Sequence, residues 1–113
     1  MWGKINMIKQ IKSSEIKNYI KENSNVVLLD VRTENEWTSL GKPNAEDLNS
    51  KTYFVTVSPD LSNWQVPDPN FVENVKKNIN KDKTILVMCA AGGRSLIAAN
   101  LLEAEGYSII NVS

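Results

Sequence analysis

Two apolar runs with no polar interruption, Val26-Val27-Leu28-Leu29 and Ile85-Leu86-Val87-Met88, constrain this chain more than any other feature. A strand wetted on one face alternates apolar and polar residues. An unbroken run of β-branched residues and leucines, bounded by polar ones, predicts a strand covered on both faces, as parallel strands are. The first run ends at Asp30; the second starts from Thr84 and passes directly into Cys89. Stretches with helical spacing surround them. Ile16, Tyr19 and Ile20 share one face of a helix that Ser13 can cap, and Thr33 can cap a short helix through Glu34 and Trp37. Phe71, Val75 and Ile79 recur every four residues after Asp68-Pro69, a cap followed by a first helical residue. A helix from about Ser95 to Glu105, with Leu96, Ala99 and Leu102 as its apolar spacing, finds its stop in Gly106. Met7–Gln10, Tyr53–Val57 and Ser108–Val112 read as further strands. Gly41-Lys42-Pro43-Asn44 reads as a loop, and Ser58–Pro67, with Pro59, Pro67 and Trp64, as an irregular excursion.

This alternation predicts an α/β domain built on an open, mostly parallel five-stranded sheet flanked by helices. Ligands of such folds gather at the carboxyl ends of the strands, where Asp30 and Cys89 both stand. A length of 113 residues predicts one domain, taken as residues 7–113, with 1–6 an N-terminal extension and Met7 an alternative start.

Composition removes several chemistries. Thirteen basic and thirteen acidic residues cancel, and Lys76, Lys77, Lys81 and Lys83 are answered by Glu73 and Asp82, so the lysines read as a solvated helix face and no nucleic-acid partner is expected. The longest apolar segment, Ile85 to Ala91, is too short to span a bilayer, and Met1 to Gln10 sustains no secretory apolar run. No membrane partner is expected, and a single cysteine, which cannot form an internal disulfide, fits a cytoplasmic protein. The chain contains no histidine, which excludes Ser-His-Asp hydrolysis, Cys-His proteolysis and histidine-ligated metals; with one thiol, no metal and no cofactor is expected.

Chemistry therefore falls to Cys89. By itself, a cysteine ending an apolar strand is a small buried hydrophobe. Here it enters Cys89-Ala90-Ala91-Gly92-Gly93-Arg94-Ser95 and then a helix. Glycines permit strained backbone that turns successive amides toward one point, and those amides, the helix N-terminus and Arg94 predict a stabilised thiolate. Two further aromatic residues bear on this site: Trp37 is expected to pack its helix on the sheet, and Trp64 either overhangs the site or anchors its own loop. Trp2 carries no separate expectation.

These residues resemble the rhodanese family, in which a cysteine opens a six-residue active-site loop, here Cys89 to Arg94. Leu28-Leu29-Asp30-Val31-Arg32 with Glu36-Trp37 is similar to the family's aspartate-x-arginine strand end and acidic-aromatic pair, and Gly41-Lys42-Pro43-Asn44-Ala45 stands where the family has a glycine-histidine-isoleucine-proline-glycine-alanine segment. Related phosphatases place one more residue between cysteine and arginine than the four found here, Ala90, Ala91, Gly92 and Gly93. The resemblance implies a sulfurtransferase: Cys89 takes a sulfane sulfur from thiosulfate or another persulfide donor and passes it to cyanide, a small thiol or a protein acceptor. It implies that Ala90 to Ser95 cradle the persulfide, that Arg94 steadies the loop and an anionic donor with its charge partly offset by Asp30, and that Asp30 and Arg32 form a supporting ion pair. Ala90 replaces an arginine common in thiosulfate-using members. The family's final helix after the last strand has no counterpart before Ser113, so the domain is either short or truncated there. Two other readings remain at this level: a non-catalytic rhodanese-like binding module, and a small phosphatase or arsenate reductase, which loop length and the lack of a second cysteine disfavour.

Overall fold

The computed structural model describes residues 8–41, 51–90 and 93–112. The proposed 1–6 extension, Trp2, Lys42 to Ala45, Ala91, Gly92 and Ser113 lie outside them.

Five strands, β1 (Lys9–Ile11), β2 (Val26–Asp30), β3 (Lys51–Phe54), β4 (Thr84–Met88) and β5 (Ser108–Val112), form one sheet in the order β1-β5-β4-β2-β3. Every pairing is parallel. The unbroken apolar runs occupy the neighbouring strands β2 and β4, and their residues divide between two cores. Val27, Leu29, Ile85 and Val87 face the core beneath the helices α3 (Phe71–Lys76) and α4 (Gly93–Ala104), while Val26, Leu28 and Leu86 face Ile16 and Ile20 of α1 (Ile16–Glu22). The fourth helix, α2 (Glu34–Leu40), follows β2 and lies beside the sheet's carboxyl end. Trp37 packs its edge against Phe54 of β3, with ring centroids 5.2 Å apart.

Several boundaries differ from expectation, each for a local reason. Ser13 does not cap α1; it opens a 3-10 turn, Ser13–Glu15, in which the Lys12 amide donates to the Glu15 carboxylate at 2.8 Å. β3 ends at Phe54 rather than Val57 because its ladder partner β2 stops at Asp30; beyond that point the Val55 and Val57 amides still reach the Asp30 and Val31 carbonyls at 3.1 and 3.2 Å. Asp68 and Pro69 form a turn ahead of α3, held by the Asn70 amide on the Asp68 carboxylate at 2.8 Å. Ile79 lies past the end of α3 yet is buried. On α4 the buried stripe is Ser95, Ala98, Ala99 and Leu102, and Leu96 is exposed.

Gly106 ends α4 as expected. It adopts a φ of 98°, its amide donates to Glu103 and the Tyr107 amide to Leu102, the reciprocal pair that closes a helix with a left-handed residue. That turn delivers the buried Tyr107, whose hydroxyl donates to the Ile79 carbonyl at 2.7 Å. Tyr107→Phe removes the donor and leaves the carbonyl desolvated, so stability should fall by about 1–2 kcal/mol. A lower urea midpoint with an unchanged slope checks this.

Candidate functional site at the end of the central strand

Cys89 leaves β4 at its carboxyl end, half-buried against the core beneath α4. The Ser95 amide, in the first turn of that 12-residue helix, donates to Cys89 Sγ at 3.2 Å. Sulfur therefore sits where the helix N-terminus presents its unsatisfied amides and positive dipole end, an environment that favours thiolate over thiol. Ala90 is exposed.

Arg94 enters the same electrostatic set by a route the sequence did not suggest. Its direct partner is Glu36 of α2, gripped by two bonds, Nη1 to Oε1 at 2.6 Å and Nη2 to Oε2 at 2.8 Å. Asp30 exerts only a weaker, longer-range pull on it. The Glu36 bonds hold the guanidinium above its ordinary pKa, and the nearby Cys89 adds to that effect. Glu36 is prepared for this by the capping box that starts α2. The Thr33 amide and hydroxyl donate to Glu36 Oε1 at 3.0 and 3.1 Å, and the Glu36 amide returns a bond to the Thr33 hydroxyl. Arg94 and, after it, Thr33 hold the Glu36 carboxyl down to about 2, against the opposing effect of burial.

Asp30 has another role. Fully buried, it takes Arg32 Nη2 at 2.8 Å, Nε at 3.1 Å and the Arg32 amide at 3.0 Å; Arg32 also donates to the Gly41 carbonyl at 2.8 Å. The pair ties the end of β2 to the end of α2. Bonds to Asp30 raise the Arg32 guanidinium. The chain has two arginines, and both are held in ion pairs.

Gly93 does not adopt an unusual backbone; the positive-φ glycines among the described residues are Gly41 and Gly106. A Cβ on Gly93 would stand 3.1 and 3.2 Å from two ring atoms of Trp64. The indole thus lies over the start of α4 beside the cysteine loop. It does so from the Ser58–Pro67 excursion, which Ser58 anchors by donating to the Trp64 carbonyl at 2.6 Å. The ring approaches the first residue of α4, while the bond that holds its loop is made by the Trp64 backbone carbonyl. Between this excursion and α2 runs an open groove of about 560 Å³, lined in part by Thr33, Glu36, Leu40, Pro59, Asp60 and Leu61. Among the described residues, no three thiol or carboxylate groups cluster to hold a metal ion.

Residues 13–113 match the rhodanese-like domain family. The chain belongs to that family. An uncharacterized protein, RP600 of Rickettsia prowazekii, is 34% identical over 103 residues, which cover 89% of this chain and 76% of that protein. Among solved structures, Rv0390 from M. tuberculosis superposes with a TM-score of 0.80 at 25% identity, covering 95% of this chain and 78% of its own. A rhodanese-like domain protein from Staphylococcus aureus does so at 0.67 and 28% identity, covering 94% and 85%. The five-stranded parallel sheet is thus a rhodanese-like fold, and the resemblance read from the cysteine loop is correct at the level of family.

Two residues of this rhodanese-like site were not assigned by sequence reasoning. Glu36 was seen only as half of an acidic-aromatic pair, and nothing in its spacing marked it as the partner of Arg94. Asn111, which accepts a bond from the Ser95 hydroxyl at 2.5 Å, carried one signal: it is a polar residue inside an apolar strand.

Proposed function

We propose that this protein is a sulfurtransferase that carries sulfane sulfur on Cys89. The thiolate attacks the outer sulfur of a donor, forming an S–S bond as the donor's own bond to that sulfur breaks and its electron pair leaves with thiolate or sulfite. An acceptor thiolate or cyanide then takes the outer sulfur, and the electron pair returns to Cys89. No outside oxidant or reductant enters either step. The observation that carries this reading is the Ser95 amide on Cys89 Sγ at the N-terminus of α4, which favours a reactive anion at the mouth of the sheet. Family membership supports the same chemistry, with Ala90 to Ser95 as the persulfide cradle.

The ion pairs point to the donor class. Thiosulfate is a dianion, and neither guanidinium is uncommitted, while Ala90 supplies no charge. A low-molecular-weight persulfide, or a persulfide on a protein, suits this pocket better. We place the protein in the cytoplasm, where a single cysteine stays reduced; among the described residues no helix is long and apolar enough to cross a membrane.

Intact mass after incubation with glutathione persulfide, and separately with thiosulfate, tests both statements. A gain of about 32 Da mapped to Cys89 is the mark of persulfidation, and loading should be faster from the persulfide than from thiosulfate. No gain from either donor overturns the sulfurtransferase reading in favour of a non-catalytic binding module, and faster loading from thiosulfate overturns the donor class.

A further inference from the structure

A buried polar pair links α4 to β5 directly behind the sulfur. Ile109 and Asn111 share one side of β5, and Ile109 packs into the core with Ala98, Ala99 and Leu102 of α4. An apolar residue at 111 would extend that core. Instead Asn111, 2% exposed, accepts from the hydroxyl of Ser95, 0% exposed, at 2.5 Å. Burying two polar side chains is costly compared with an apolar pair of similar volume, so their retention calls for a local reason. That reason is Ser95 itself: the residue whose hydroxyl is tied to β5 is the one whose amide reaches Cys89 Sγ at 3.2 Å.

We propose that Asn111 is a positioning residue for the cysteine: it fixes the first turn of α4 through the Ser95 hydroxyl and so holds the Ser95 amide on sulfur. β4 and β5 are paired neighbours, so sulfur and tether are referenced to the same rigid sheet, and the amide between them cannot drift with α4. The inference deepens the sulfurtransferase reading and rests on it for its purpose, but the property it concerns belongs to the thiol alone.

The pH profile of Cys89 alkylation by iodoacetamide, measured beside thermal unfolding, tests it in Asn111→Leu, Ser95→Ala and the double variant. Each single substitution orphans a buried partner and should lower the unfolding midpoint. Each should also raise the apparent thiol pKa by about half a unit to one unit, slowing alkylation below that pKa by about threefold to tenfold. The double variant removes both members of the pair together, so its midpoint should lie above those of the single variants while its alkylation profile stays shifted. Arg94, whose charge interacts with Cys89, and Glu36, Asp30 and Arg32, which interact with Arg94, are unchanged in every variant. A double variant with the original profile assigns the pair to packing alone and overturns the proposal, even if the single variants fail to fold. If the profile shifts as stated but no donor ever loads sulfur, the tether stands and the sulfurtransferase reading falls.

Discussion

Cys89→Ser should lose sulfur transfer by at least about a thousandfold while remaining folded, because the nucleophile is removed and little else changes. Serine nearly matches cysteine in shape, and its oxygen can still accept the Ser95 amide that now meets Sγ. Stability should therefore stay within about 1 kcal/mol of the original. The chemistry does not survive, since a serine hydroxyl is not ionised near neutral pH and the chain has no histidine to act as its base. The mass gain from glutathione persulfide should vanish, as should thiocyanate formation when cyanide is the acceptor. Transfer that persists in this variant would remove Cys89 from the mechanism.

Glu36→Gln should cost about 3 kcal/mol at neutral pH and flatten the acid limb of unfolding. Side chains of Glu36 and Arg94 are only 12% and 11% exposed, so removing one charge leaves the other poorly solvated and unpaired. The size follows from the carboxyl itself, held down from 4.5 to about 2, which corresponds to about 3 kcal/mol. Because the folded value is the depressed one, this contribution is complete above about pH 4.5 and drains away as pH falls toward about 2. Urea unfolding at a series of pH values should show that drop in the original chain and lack it in the variant. Sulfur loading should slow as well, because Arg94 lies in the first turn of α4, beside the Ser95 amide that meets sulfur. An unchanged acid limb would show that the pair is not the source of this linkage.

How legible each part was depends on how far its cause lies along the chain. β2 and β4 were readable almost to the residue, because double-sided burial writes an unbroken apolar run into the sequence itself, and β5 was nearly as legible although Asn111 interrupts its run. Gly106 was readable for the same reason of proximity, as a glycine directly after the last helical turn. The starts of α1 and α3 were not, because Ser13 and Asp68 each had the composition of a cap while Glu15 and the Asn70 amide settled the local hydrogen bonding differently. The loop around Cys89 was identified by its spacing, but its supports lie far off in sequence. Arg94 meets a carboxylate 58 residues away, and the tether of Ser95 is contributed by the last strand. Gly93 suggested backbone freedom, whereas its conformation is ordinary and the indole beside it comes from a different loop.

The Ser58–Pro67 excursion leaves and rejoins the body of the molecule at nearly one point, for the Asp68 amide donates to the Val57 carbonyl at 2.6 Å. A segment with such closely set ends behaves as a cassette: its length and sequence can be exchanged at small entropic cost without moving β3 or α3. This cassette carries Trp64 and one wall of the groove beside α2, whereas the bonds described above for Cys89, Arg94 and Asp30 come from Ser95, Glu36 and Arg32. A loop grafted there from another member of the family would reshape that wall while leaving the Ser95–Cys89 and Arg94–Glu36 bonds in place.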